Sequence, residues 1–178
     1  MAENTTQKKV VQTILKDLES TDTKVILDAL KRIKSKGDAS VIPAMISVYG
    51  STASEDVKDE IKKLLSQLKI KEGVLPLVEG LLEGDDEVNE MILFSLWNAN
   101  LNPINYMAEI IEASCRGSYM VALEGLTVIE NLEGPFEEEV LNDAKLVLSD
   151  YFQNEDEKSD LIKSILGCVR NYDNFISA

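Results

Sequence analysis

The chain has 178 residues, 44% hydrophobic and 28% charged, with no histidine, two cysteines and a formal net charge of −14. A compact chain of this length buries roughly 70% of its unfolded surface, so no metal or disulfide is needed to hold it, and the composition is globular rather than disordered or fibrous. The absence of histidine excludes Ser-His and Cys-His nucleophile systems and removes the commonest general base and metal ligand.

No apolar run approaches the length of a membrane span. The opening "MAENTTQKKVVQTILKDLES" lacks the charged-then-apolar order of a signal peptide. Cys115 and Cys168 stand alone, without a CxxC or a framework of spacings, so a cytoplasmic protein with two reduced, packed thiols is expected. The acidity is unevenly spread. Residues 1–72 hold 13 Lys/Arg and 11 Asp/Glu, about +2, whereas residues 73–178 hold 5 and 21, giving −16. Such asymmetry implies an acidic interaction surface and argues against nucleic acid, whose binding depends on clustered cations.

Helical periodicity is nearly continuous, and no period-2 alternation or hairpin dipeptide interrupts it. A capping helix is expected over residues 5–19. Ile26, Ala29, Leu30 and Ile33 then begin a helix–turn–helix unit over 20–51. Val57, Ile61, Leu64, Leu65 and Leu68 begin a second over 54–85, and Val88, Met91, Ile92, Ser95, Leu96 and Ala99 a third over 85–117. A looser fourth unit reaches 152, and a capping helix is expected over 157–171 within a closing segment, 153–178. "MILFSLWNANL" is apolar on nearly every face, as a helix covered on several sides should be, so Phe94 and Trp97 read as core.

The prolines punctuate these units. Pro43, Pro76 and Pro103 each follow an acceptable cap by three residues, Ser40, Gly73 and Asn100, which puts them at a third helical position, where a missing N–H costs little. Asp38 is the competing cap; it would set Pro43 deeper, behind a distorted first turn. Pro135, after Gly134, falls at a first helical position. Pro43 to Pro76 is 33 residues and Pro76 to Pro103 is 27, a period that means a stacked helical array.

The pattern of Ala29-Leu30 in a first helix, Asp38 in the turn and "VIPAMI" opening a second helix, echoed by "VLPLVEGLL", resembles the HEAT-repeat family over residues 20–117. The resemblance implies an all-α fold, a right-handed α-α superhelix of about four to five helix pairs forming one helical-repeat domain over 1–178. It also implies that second helices line a concave, partner-binding face.

Candidate chemistry is sparse. No phosphate-binding glycine loop or hydrolase elbow occurs. The carboxylate clusters "GDDE", "EGPFEEE" and "NEDE" suit helix starts, where acids complement the macrodipole, better than a hard-cation site. Neither a cofactor nor a metal is expected. Cys115 precedes Arg116, which could lower its pKa, but a small packed residue near a helix end is the commoner case. Tyr106, Tyr119 and Tyr151 suit a half-exposed recognition surface. The sharpest hint is an acidic ladder on second helices: Glu79 and Glu83 one turn apart, with Glu109 and Glu112 one repeat further on, at spacings of 30 and 29. Like charges at i, i+3 or i+4 cost a helix a few tenths of a kcal/mol per pair, so their retention points to attraction of a basic partner. The expectation is a non-enzymatic scaffold or adaptor that binds a basic or amphipathic protein segment on Glu79, Glu83, Glu109 and Glu112. The alternative is a cofactor-linked, lyase-like HEAT-repeat enzyme. Neither nucleic acid nor membrane is an expected partner, and an incompletely polar end of the array allows a homodimer.

Overall fold

The computed structural model describes residues 2–154 and 156–176. Among them lie ten α-helices and no strand: α1 (Ala2–Leu18), α2 (Thr23–Lys36), α3 (Ile42–Ser51), α4 (Glu55–Leu65), α5 (Val74–Glu83), α6 (Asp86–Asn98), α7 (Met107–Arg116), α8 (Tyr119–Glu130), α9 (Glu138–Tyr151) and α10 (Ser159–Ile176). No helix is long and apolar enough to cross a membrane among the described residues.

Local chemistry sets the helix starts. Asp22 accepts from the Lys24 N–H at 2.8 Å, Asp85 from Val88 N–H at 3.0 Å and Ser118 from Val121 N–H at 3.4 Å, each satisfying a donor that the first turn leaves free. Glu138 and Glu139 fill the first turn of α9, so the acidic runs do sit at helix starts. The prolines behave less uniformly than their spacing suggests. Asp38, not Ser40, caps the segment ahead of α3: it accepts from Ser40 N–H at 3.0 Å and heads a 3-10 turn over Ala39–Val41. That turn leaves Pro43 at the second position of α3. Gly73 does precede α5, with Pro76 third, but it closes another 3-10 turn and offers no side-chain cap.

Asn100 caps nothing downstream. Its φ of 55° is left-handed; its N–H reaches the Trp97 carbonyl and that of Leu101 the Leu96 carbonyl, the paired bonds that end a helix. It terminates α6, and Pro103 leads a separate 3-10 turn, Ile104–Tyr106, before α7. Asparagine tolerates this conformation better than most residues, so Asn100 closes α6 instead of opening α7. Pro135 follows a cis peptide bond in the link ahead of α9 rather than opening the helix.

Two rows emerge from the helix contacts. The odd-numbered helices pack in succession, α1 on α3, α3 on α5, α5 on α7 and α7 on α9, and so do the even-numbered ones from α2 to α10. The rows join through α1–α2, α3–α4, α5–α6, α7–α8 and α9–α10. The units read from the sequence, 20–51, 54–85 and 85–117, therefore pair helices that share little contact. The close hairpins run across those borders, where short links such as 52–54 fold one helix directly back on the next.

One continuous set of buried apolar side chains runs from Val11 to Val169. Its middle is α6, flanked by α3, α4, α5 and α8, where Ile92, Leu93 and Leu96 are fully enclosed. Each such side chain contributes about 1.5–3 kcal/mol relative to exposure. Phe94 and Trp97 are not enclosed. They lie half-buried on the outer side of the even row, the Trp97 Nε1–H donating to Glu124 Oε2 at 2.6 Å and the Lys62 ammonium 4.3 Å from the Phe94 ring centre. The helix is wide enough in apolar residues for a second face, where Trp97 still packs against the core while Glu124 of α8 and Lys62 of α4 meet the two rings with polar groups.

Candidate functional site

The register of the odd row follows from its buried residues. Met45, Leu77 and Ile110 take equivalent positions in α3, α5 and α7, as do Tyr49, Leu81 and Ser114, at spacings of 32 and 33 residues. In this register Glu79 is equivalent to Glu112, and Glu83 to Arg116, while Glu109 falls opposite Pro76. Equivalent positions in α5 and α7 lie 33 residues apart, so the spacings of 30 and 29 that suggested a ladder are off by about one helical turn; Pro103 does not mark the register because it precedes the 3-10 turn ahead of α7, whereas Pro43 and Pro76 follow theirs.

Arg116 then interrupts the acidic row. Its guanidinium donates to the Leu81 carbonyl at 3.1 Å, riveting α7 to α5, and stands 3.7 Å from the Glu112 carboxylate. Glu109 is half-buried. Glu79 and Glu83, in contrast, are exposed and carry no ion pair among the described residues. Of the four expected contacts, only these two line the same cleft.

That cleft runs between α3 and α5, with a volume of about 680 Å³. Pro43, Ile46 and Gly50 form one wall, Pro76, Glu79, Leu82 and Glu83 the other, and Asp85 and Val88 the end. Gly80 lets α5 sit this low: a Cβ there would stand 2.8 Å from Ile92 Cδ1 and 2.9 Å from Ile46 Cδ1. The apolar surface continues outside, where Leu75 is 48% and Leu82 53% exposed. Asp85 caps α6, so part of its charge is committed to the Val88 N–H. The product is an apolar trough edged by two uncompensated carboxylates.

A shallower cleft of about 400 Å³ repeats the geometry between α7 and α9, with Glu112, Cys115, Arg116, Val147, Asp150 and Tyr151 along it. Burial pushes the Cys115 thiol up to about 11, so Arg116 does not activate it, and Cys168 is raised by burial as well. Below this cleft lies a polar knot that sequence reasoning missed. Lys158 is 7% exposed and ion-paired with Asp156, which also accepts the Tyr151 hydroxyl at 2.5 Å and the Lys158 N–H at 3.1 Å. These contacts, the Lys158 side chain first and Tyr151 next, draw the Asp156 carboxyl down to about 2. Burial, with Asp156 second, raises Tyr151 to about 12. The only trace in the sequence was "NEDE" ahead of a helix. Nothing in it marked the lysine as buried. Tyr119 is 51% exposed at the start of α8 and lines neither cleft, and Tyr106 is half-buried beside the α7 start.

Among the described residues no group of three or more His, Cys, Asp or Glu side chains could hold a metal ion. Compared with known protein families, with characterised proteins and with solved structures, the chain matches none.

Proposed function

We propose that this protein is a non-enzymatic scaffold, a HEAT-like right-handed superhelix, that holds a basic amphipathic segment of a protein partner in the α3–α5 cleft. The observation that carries the reading is the pairing of exposed apolar surface, Leu82 in the trough and Leu75 beyond it on the same helix, with the unpaired carboxylates of Glu79 and Glu83 that line the trough. A segment with apolar residues on one side and lysines or arginines beside them would cover the first and neutralise the second. The alternation of odd and even rows supports the repeat-array part of the reading. Charge complementarity of this kind acts mainly on association rate and specificity, so the signature is a steep salt dependence. Glu109 and Glu112 become peripheral, since one is half-buried and the other paired with Arg116.

The test is a titration of the full chain with a labelled amphipathic peptide of leucine and lysine, alongside affinity capture from lysate. Glu79→Gln with Glu83→Gln should weaken peptide binding about tenfold and flatten its salt dependence, while Glu109→Gln with Glu112→Gln should change it less than about threefold. Equal effects of the two pairs, or none from either, would sink the assignment to this cleft.

A further inference from the structure

A third cleft, edged by lysines, opens where the link from α2 to α3 meets the link from α4 to α5. Further along the chain successive turns are stitched together. Asn98 Nδ2 donates to the Ser66 carbonyl at 3.4 Å, joining the ends of α6 and α4. Asn102 Nδ2 donates to the Glu133 carbonyl at 2.7 Å, and its Oδ1 accepts from the Glu133 N–H at 3.3 Å. The corresponding seam between the α2–α3 turn and the α4–α5 turn has no such stitch: among the described residues no hydrogen bond joins 33–42 to 64–70. In its place is a cleft of about 340 Å³.

Its floor is apolar and fully buried, being Val41, Ile42 and Met45. Ile33, Leu64 and Leu68 form the sides, and Ile70, 38% exposed, stands at the mouth. Lys34 and Lys69 line it from opposite turns, both exposed and neither engaged by any carboxylate among the described residues. Asp38 also lines the cleft, but its carboxylate is turned to the Ser40 N–H and hydroxyl, at 3.0 and 2.5 Å. Lysines near helix C-termini do complement the dipole. That role does not account for an uncovered apolar trough between them, in a chain whose acids outnumber its bases 32 to 18. Volume and lining suit a small ligand: such sites span roughly 300–1,000 Å³, mostly apolar, with a few polar groups that fix orientation.

We propose that this cleft binds a small amphiphilic monoanion, an aliphatic body carrying one carboxylate, with Lys34 and Lys69 receiving the head and Ile33, Leu68 and Ile70 covering the body. The site is separate from the acid-edged cleft and shares no residue with it.

The experiment uses the full chain and dodecanoate below its micellar concentration, followed by calorimetry and by displacement of an anilinonaphthalene sulfonate probe. Dodecanoate should bind with one-to-one stoichiometry, and dodecanol, with the same body and no charge, about tenfold more weakly. Lys34→Gln with Lys69→Gln should lower dodecanoate affinity about tenfold with the far-UV circular dichroism of the folded chain retained, and Ile70→Asp, at an exposed position, should lower it likewise. Glu79→Gln with Glu83→Gln should leave it unaltered. Equal binding of the acid and the alcohol, or a lysine variant that binds as the parent does, would overturn the proposal. So would preference for an acidic leucine–glutamate peptide over dodecanoate, which would reassign the cleft to a protein partner.

Discussion

Asp156 is 42% exposed at its side chain, yet it organises the connection into α10. It takes a hydrogen bond from Tyr151 at the end of α9, one from the Lys158 backbone, and the charge of a lysine whose side chain is 9% exposed. Its carboxyl falls from 3.8 to about 2 on folding, chiefly through the Lys158 side chain and then through Tyr151. A folded-state pKa below the unfolded one means that the stabilisation is fully present above the unfolded value and is lost as pH falls through the folded one. Asp156→Asn should therefore lower the urea midpoint at neutral pH, and its gap to the parent should close between about pH 5 and pH 2. A gap that persists undiminished at pH 2 would mean that the carboxylate's charge is irrelevant. Part of this was legible: an acid just before a predicted helix reads as a start signal. The burial of Lys158 was not, because it depends on how the link after α9 folds back, which brings the ammonium to 5.9 Å from the Tyr151 ring centre.

At the scale of elements, α7 and α8 approach closely at Gly125. A Cβ at Gly125 would stand 1.9 Å from Ser114 Oγ, and that hydroxyl is fully buried and donates to the Ile110 carbonyl at 2.7 Å. Alanine gains about 1 kcal/mol over glycine in a helix interior. Overpacking and a displaced buried hydroxyl cost about 1–3 kcal/mol each, so the clash wins. Gly125→Ala should destabilise by about 1–3 kcal/mol in urea unfolding, and in a Ser114→Ala background that cost should fall by more than half. An identical cost in both backgrounds would place the strain elsewhere. The sequence offered Gly125 as one more small residue in an apolar run, and only the docking of two helices makes it obligatory. The prolines teach the converse lesson: their chain spacing was visible, but the 3-10 turns at Ala39–Val41, Lys71–Gly73 and Ile104–Tyr106, which Pro43 and Pro76 follow and Pro103 precedes, were not. The 33-residue repeat of α5 and α7, not the spacing of the prolines, sets the register and dissolves the four-glutamate ladder into one usable pair.

Across the whole molecule, charge is segregated, with −16 in residues 73–178 against about +2 before them. Ion pairs such as Lys31–Asp28 and Lys63–Glu60 are local and largely exposed, and such pairs are worth about 0–1 kcal/mol, so they do not offset the excess. Raising salt shrinks the screening length from about 30 Å at 0.01 M to about 8 Å at 0.15 M and relieves this repulsion. Tm should accordingly rise by about 2–4 °C over that range, the shift expected from ~1 kcal/mol in a chain of this size. A flat or falling Tm would show that attractive pairs balance the repulsion.

The all-helical character, the approximate positions of the helices and the acidic bias of the second half follow from the sequence alone, because periodicity, caps and charge are properties of neighbouring residues. Which helices pair, which glutamates share a cleft, where Arg116 cancels a charge and where a seam is left open between Lys34 and Lys69 were decided only by the tertiary structure. Each depends on the register between helices some thirty residues apart, and an error of about three or four residues in that register turns a side chain by a full helical turn along its neighbour.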